Sequence, residues 1–146
     1  MRFIVNKALK NAELVTDPFR LKQIINNLLG NAFKFTDSGS IEIGYILEEQ
    51  QFKFFVKDSG IGIDKQKQDQ IFKPFVQADN CFSRSYGGSG LGLAITCGLL
   101  KRMGGNVWVE SDKGKGSTFY FTLPLKPVIS QKTALQVSKH QPAVLN

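Results

Sequence analysis

Six glycines crowd two short stretches of this chain, DSGIGI at residues 58–63 and YGGSGLGLAI at residues 86–95. Glycine gives up more backbone freedom on folding than any other residue, so this density is costly in an ordered domain. It is tolerated where the backbone must turn with positive φ or lie close to something, and a ligand carrying phosphates is the first candidate. Asp58 opens the segment, and a helix-like run, LGLAITCGLLKRM, closes it.

Around that segment the apolar pattern switches between two periods. Asp17 precedes Pro18, an N-cap acceptor followed by proline at the first helical position. Leu21, Ile24, Ile25, Leu28, Leu29, Ala32 and Phe33 then recur at helical spacing, which predicts an amphipathic helix to about residue 35, ending near Asp37-Ser38-Gly39. Residues 40–48 alternate, with Ile41, Ile43, Tyr45 and Leu47 on one face. Residues 51–58 place Phe52, Phe54 and Val56 together and Phe55 opposite, and the short turn between the runs predicts an antiparallel hairpin. Residues 64–72 predict a short helix, residues 77–86 a polar loop or lid, and residues 91–103 a second amphipathic helix stopped by Gly104-Gly105. Residues 106–111 and 117–125 read as strands joined by the turn DKGKG. Residues 3–9 read as an edge strand, with a short element near residues 13–16. Helices and antiparallel hairpins without regular βαβ spacing predict an α+β, two-layer sandwich. Apolar periodicity fades past residue 126, so residues 1–126 are expected to form one domain and residues 127–146 a tail or linker.

A 146-residue domain buries roughly 68–70% of its unfolded surface and needs no staples. Cys81 and Cys97 lack a disulfide-framework spacing and are read as reduced thiols of an intracellular protein. No apolar run reaches the roughly 18–20 residues of a membrane span, and no secretory pattern follows Met1. The net charge of +7 is scattered. A solvated basic surface that helps attract an anionic ligand is therefore preferred to nucleic-acid binding. The single histidine, His140, lies in the polar tail, so a histidine-based site inside the domain is excluded by count.

Individual motifs leave alternatives open. Asn27, Asn31 and Lys34 share one helix face beside Ile24 and Leu28. Amide oxygens suit Mg²⁺, which takes few protein ligands plus waters and phosphates, and a lysine one turn on suits a phosphate. The same residues also fit an ordinary solvent side. Asp58 can accept from an exocyclic amine such as that of adenine, or it can cap its own turn. GGSGLGL is neither a Walker A loop nor a dinucleotide fingerprint. It precedes a helix, so it is an anion site or a hinge. Phe72 and Phe75, around Pro74, either pin a loop to the core or belong to a lid. Arg84 either reaches a γ-phosphate or is solvated.

Read together, NNLLGNAFKFT, DSGIGI, IFKPFVQAD, YGGSGLGLAI and GKGSTF, in that order, resemble the N box, G1, F, G2 and final glycine box of sensor histidine kinase ATP-binding catalytic domains. These belong to the GHKL superfamily, with its Bergerat fold. The resemblance covers residues 17–125. It implies a mixed, mostly antiparallel sheet packed against about three helices, with ATP held between the N-box helix and a flexible lid. It implies that Asn31 ligates Mg²⁺, that Asn27 supports the metal directly or through water, and that Lys34 contacts phosphate. Phe35 would pack beside adenine, Asp58 would bond its amine, and Gly60, Gly62, Ile63 and Phe75 would line its pocket. Gly88, Gly90, Leu91 and Gly92 would shape the lid end and phosphate site, and Thr118 would lie near the adenine. Arg84 would act with Asn31 and Lys34 on the transferred phosphate.

Related gyrase- and chaperone-type ATPases carry a glutamate, the base for an attacking water, where this chain has Asn27. That suits delivery of phosphate to a protein side chain. Ser89 stands where many members have threonine, with the hydroxyl retained. The resemblance implies two partners: a dimerisation and phosphoacceptor domain bearing the histidine, expected to lie outside this chain, and a downstream response-regulator receiver domain. No nucleic acid and no membrane contact are expected of the domain itself. The expected compartment is the cytoplasm, whether or not the parent protein is membrane-anchored. The alternatives are a serine kinase of the anti-sigma-factor type and a non-catalytic ATP-sensing module.

Overall fold

Helix α1, Pro18–Lys34, starts where its capping chemistry dictates. The Asp17 carboxylate accepts from the backbone N–H groups of Phe19 (2.9 Å) and Arg20 (3.3 Å), an arrangement worth about 1 kcal/mol. Ile24, Leu28 and Ala32 form its buried line. Phe33 departs from the expected apolar face and is 49% exposed. Ile25, Leu29 and Phe33 form a second row, turned about 100° from the buried one, and that row runs out of the interface at Phe33. The computed structural model describes residues 1–7, 14–74 and 90–125. The expected lid at residues 77–86 and tail at residues 127–146 lie outside them, as do residues 8–9 of the expected edge strand; of the short element expected at residues 13–16, the described residues 14–16 form neither helix nor strand.

One five-stranded sheet carries the fold. Strand β1, Arg2–Lys7, lies at one edge, followed by β2, Ser40–Leu47, and β3, Gln51–Asp58. Next comes β5, Gly116–Pro124, with β4, Asn106–Asp112, at the other edge. The β2–β3, β3–β5 and β5–β4 pairs are antiparallel, and β1 is parallel to β2. The sheet is thus mixed and mostly antiparallel, as expected. The parallel pair adds one β–α–β crossover, through α1, that the sequence reading did not anticipate.

A second helix, α2, Gly92–Arg102, packs beside α1 over the same face. It stops at Gly104, which has φ +78°, while the Gly105 N–H bonds back to the Leu100 carbonyl at 2.8 Å. The core lies between the helices and the sheet. Ile24, Leu28 and Ala32 of α1 and Leu100 of α2 meet Ile41, Val56, Phe119, Phe121 and Leu123. The Phe54 and Phe121 rings stack at 4.6 Å. On the far face Trp108 stacks on Tyr120 at 5.3 Å, and Lys53 Nζ lies 5.5 Å from the Tyr120 ring centre.

The helix expected over residues 64–72 is instead a 3₁₀ turn, Lys65–Lys67, capped by Asp64 and followed by further turns. The run is too short to repay helix nucleation. Its N–H groups reach back three residues, from Lys67 to Asp64 and from Gln70 to Lys67. Ile71 is buried, and Phe72 meets Phe119 edge-on at 6.3 Å, so this segment is pinned to the core. Among the described residues the helices are therefore two α-helices and one 3₁₀ turn, and none is long and apolar enough to cross a membrane.

Candidate functional site

One row of the sheet breaks the apolar pattern of the helix-facing side. In register, Ile43, Val56, Phe119 and Val109 form one row, and the next is Ile41, Asp58, Ser117 and Ser111. Three polar side chains thus stand side by side at the sheet's end, under the C-terminus of α1. Asp58 is 6% exposed and Ser117 is 7% exposed. Asp58 Oδ1 accepts from the Gly60 N–H at 2.9 Å. Burial pushes the Asp58 carboxyl above its ordinary 3.8, against the opposing pull of the Gly60 and Ser117 N–H groups and the Thr36 hydroxyl. Thr36 Oγ1 is itself buried, and apart from its loose approach to the Asp58 carboxylate it has no hydrogen-bond partner among the described residues. A buried hydroxyl left this way costs about 1–3 kcal/mol. It sits where a polar ligand edge or a water would satisfy it.

Glycines let three backbone segments close on one another here. The Gly60 Cα lies against the Phe35 carbonyl. Gly62 (φ +70°) packs on the Asp112 carbonyl, and Gly116 (φ +93°) on the Asp58 carbonyl. A side chain at either position would meet backbone in a conformation that L-residues avoid. Cross-links hold the arrangement: the Ile61 N–H donates to the Phe35 carbonyl (3.2 Å), and the Gly114 N–H to the Ile61 carbonyl (2.7 Å). Ser111 Oγ accepts from the half-buried Ile63 N–H and donates to the Gly116 carbonyl, both at 2.8 Å. It also lies 2.8 Å from Ser117 Oγ. Gln68 Nε2 donates to the Ile63 and Ser111 carbonyls, at 3.1 and 2.7 Å.

The other half of the site is built from helices. Asn27, Asn31 and Lys34 are half-buried along α1, bordering the buried Ile24 and Leu28. Asn27 Nδ2 donates to the Gly92 carbonyl (3.2 Å) and to Thr96 Oγ1 (3.3 Å), joining α1 to the first turn of α2. A carbonyl only accepts, so the amide nitrogen must face α2, and the amide oxygen is directed elsewhere. Lys34 Nζ lies 5.2 Å from the centre of the half-buried Phe35 ring. Gly90 (φ +70°) and the half-buried Leu91 lead into α2, whose N-terminus has no side-chain cap among the described residues. Phe75, Arg84 and Gly88 lie outside the described residues.

Thr118 and its neighbour Ser117 differ in the face they occupy. Thr118 pairs with Lys57 and Glu110, so strand alternation turns its side chain to the face opposite Asp58 and Ser117, although all of these residues border one hollow at the sheet's end. Its neighbour Ser117 faces Asp58 instead. The signal was in the sequence: Phe119, Phe121 and Leu123 face inward, and a period of two carries that face to residue 117. The same count from Val107 and Val109 reaches Ser111. Thr36, Gln68 and Thr96 carried no comparable signal. Among the described residues no three His, Cys, Asp or Glu side chains converge into a metal cage. The donor set present, amide oxygens beside a lysine, fits a metal that takes most of its ligands from phosphates and water.

Comparison with known proteins places this geometry. Residues 16–127 match the family described as histidine kinase-, DNA gyrase B-, and HSP90-like ATPase. The autoinducer 2 sensor kinase/phosphatase LuxQ of Vibrio vulnificus is 45% identical over 129 residues, 84% of this chain and 15% of the relative. The signal transduction histidine-protein kinase BarA of Escherichia coli is 44% identical over 119 residues, 77% of this chain and 13% of the relative. The chain therefore spans only about 15% of the length of such curated relatives. Among solved structures, full-length ShkA in complex with AMPPNP superposes with a TM-score of 0.77 at 32% identity, over 88% of this chain and 26% of that one. The nucleotide-free catalytic domain of the histidine kinase ThkA gives 0.74 at 28% identity, over 86% of this chain and 81% of that one.

Proposed function

The chain belongs to the histidine kinase-, DNA gyrase B-, and HSP90-like ATPase family, and from that membership we propose that it is the ATP-binding catalytic domain of a two-component sensor histidine kinase. The observation that carries the reading is the Asp58–Ser117–Ser111 row, set beside the Asn27–Asn31–Lys34 face of α1. Adenine enters against Asp58, whose carboxylate accepts from the exocyclic amine while Gly60 and Gly62 let the base approach. Phe35 and Ile63 flank it. The triphosphate runs along α1 toward the N-terminus of α2, where Lys34 offsets phosphate charge and Gly90, Leu91 and Gly92 present backbone N–H groups. Asn31 would hold Mg²⁺, with Asn27 supporting it directly or through water, and the metal would supply charge compensation for the phosphates.

At residue 27 the side chain is an amide and not a carboxylate, so it has no proton-accepting group to activate water. It instead holds α2 in place. The acceptor is a histidine on a separate dimerisation and phosphoacceptor domain; its imidazole nitrogen attacks the γ-phosphorus in line, forming a P–N bond as the bond to the β,γ-bridging oxygen breaks and ADP leaves. Positioning and charge stabilisation do most of the work in such transfers. A receiver domain takes the phosphate onward.

Calorimetric titration with ATP, with and without Mg²⁺ and with GTP as control, tests the pocket. Adenine-selective binding strengthened by Mg²⁺ is expected. Equal affinity for ATP and GTP, or no binding by a folded sample, overturns the assignment. Transfer to an added acceptor domain should give an acid-labile product, and an acid-stable one points to serine instead.

A further inference from the structure

Ser111 has no assigned contact with ATP in the reading above, yet it ends the polar row and its hydroxyl carries three contacts at 2.8 Å. A serine hydroxyl has one proton and two lone pairs, so its partners can be counted. The Ile63 N–H can only donate, which takes one lone pair. The Gly116 carbonyl can only accept, which takes the proton. The contact with Ser117 Oγ must then be a bond in which Ser117 donates and Ser111 accepts. The Ser117 proton is committed to Ser111, and only its lone pairs are left to face the ground beside Asp58. Asp58, in its ionised form, likewise offers acceptors. Asp58 and Ser117 therefore show a base edge two acceptors and no donor, while the nearby Thr36 hydroxyl acts on the Asp58 carboxylate and lowers its pKa.

We propose that Ser111 is a positioning residue for base selection: by locking the Ser117 hydroxyl as a donor to itself, it leaves Ser117 able only to accept beside Asp58. An exocyclic amine, as in adenine, matches that edge. A carbonyl at the same ring position, as in hypoxanthine or guanine, meets lone pairs on both side chains. The device rests on the ATP reading and adds to it the group that fixes the polarity of the neighbouring hydroxyl. Gln68 supports it by holding the Ser111 and Ile63 carbonyls together.

Inosine triphosphate is the discriminating probe, because it carries the carbonyl without the extra amino group of guanine. The ratio of ATP to ITP affinity is measured by calorimetry on the whole chain for the wild type, Ser111→Ala, Ser111→Thr and Ser117→Ala, and for the double variant. In Ser111→Ala the Ser117 hydroxyl is free to turn its proton into the pocket, and the ratio should narrow about tenfold, the scale of one hydrogen bond. Ser111→Thr keeps the hydroxyl and should keep the wild-type ratio. In the Ser117→Ala background there is no rotor to release, so adding Ser111→Ala should leave the ratio unmoved. If alanine at 111 fails to fold, Ser111→Cys, with its weak donor and acceptor, must narrow the ratio in the same direction. A merely structural Ser111 predicts equal losses for ATP and ITP, and that result, or an unchanged ratio in a folded variant, overturns the proposal. A wild type that binds neither nucleotide, or both equally, overturns the ATP reading itself. Adenine selectivity untouched by Ser111→Ala overturns only the role of Ser111.

Discussion

At the base end of the site, Gly60, Gly62 and Gly116 lie on the carbonyls of Phe35, Asp112 and Asp58, and Ser111 ties three strands of backbone through one oxygen. At the phosphate end, α1 and α2 meet through the Asn27 amide, which donates to the Gly92 carbonyl at 3.2 Å and to the Thr96 hydroxyl at 3.3 Å. The first region is fixed by excluded volume: the main chain has no room to go elsewhere. The second is fixed by hydrogen bonds of about 1 kcal/mol each, between helices whose glycines Gly30 and Gly98 face open space. On the proposed function, a planar base demands a slot of one shape, whereas a phosphate chain to be delivered to another domain is better served by groups that shift slightly. The contrast predicts that equal-sized substitutions act very differently at the two ends.

The sharpest test adds one methyl group. Gly116→Ala, at φ +93° and with its new carbon against the Asp58 carbonyl, should lose about 3 kcal/mol or more. That would appear as a large fall in melting temperature and loss of nucleotide binding. Gly98→Ala, on the exposed side of α2 with nothing nearby, serves as the control and should gain about 0.5–1 kcal/mol from helix propensity alone. Comparable melting temperatures for the two variants would break the comparison.

A smaller effect is expected at the helical end. Thr96→Val keeps the volume of a fully buried side chain but removes the acceptor of one Asn27 bond. Stability should fall by about 1 kcal/mol. Nucleotide binding should weaken several-fold for ATP but not for adenosine, because only the phosphates depend on how α2 sits against α1. A loss that is the same for adenosine would mean that the two ends are not independent and that the α1–α2 contact also sets the base slot.

The two regions also differed in how far the sequence exposed them. Asp17-Pro18, the alternation of residues 40–58 and the Gly104-Gly105 stop read directly as α1, the β2–β3 hairpin and the end of α2, because each depends on neighbours a few residues away. Asn27, Asn31 and Lys34 were legible for the same reason, being one turn apart on one helix. The tertiary contacts were not. Asn27 and Thr96 are 69 residues apart, and no local pattern joins them. Strand alternation puts Ser117, and not Thr118, on the Asp58 face, a distinction that the motif read as a string does not carry. Phe33 was counted as apolar face by spacing, yet a helix packed on one sheet buries a narrower stripe than the sequence supplied. Residues 64–72 have helical composition but spend Gln68 and Ile71 on the core and the G1 loop, and tertiary bonds outweighed a marginal helix.

Asp58 is where the base end trades stability for recognition, and its charge gives the last and smallest test. Burial raises its folded pKa above the ordinary 3.8, so the folded state binds its proton more tightly than the unfolded chain does. The sign follows from linkage: stability from this group is fully present below the unfolded pKa and is lost as pH climbs through the raised folded value. At neutral pH the ionised carboxylate is therefore a net burden, eased but not cancelled by the Gly60 and Ser117 N–H groups. Asp58→Asn keeps an acceptor for those groups and removes the charge. It should melt at or a few degrees above the wild type at pH 7 and match it once the pH falls below about 4, while its preference for ATP over GTP collapses. Gained stability with lost selectivity would mark Asp58 as a residue kept for the ligand and not for the fold. If Asp58→Asn is instead less stable across the whole pH range, the backbone donors outweigh burial. The base end would then be held together by the carboxylate as much as by its glycines.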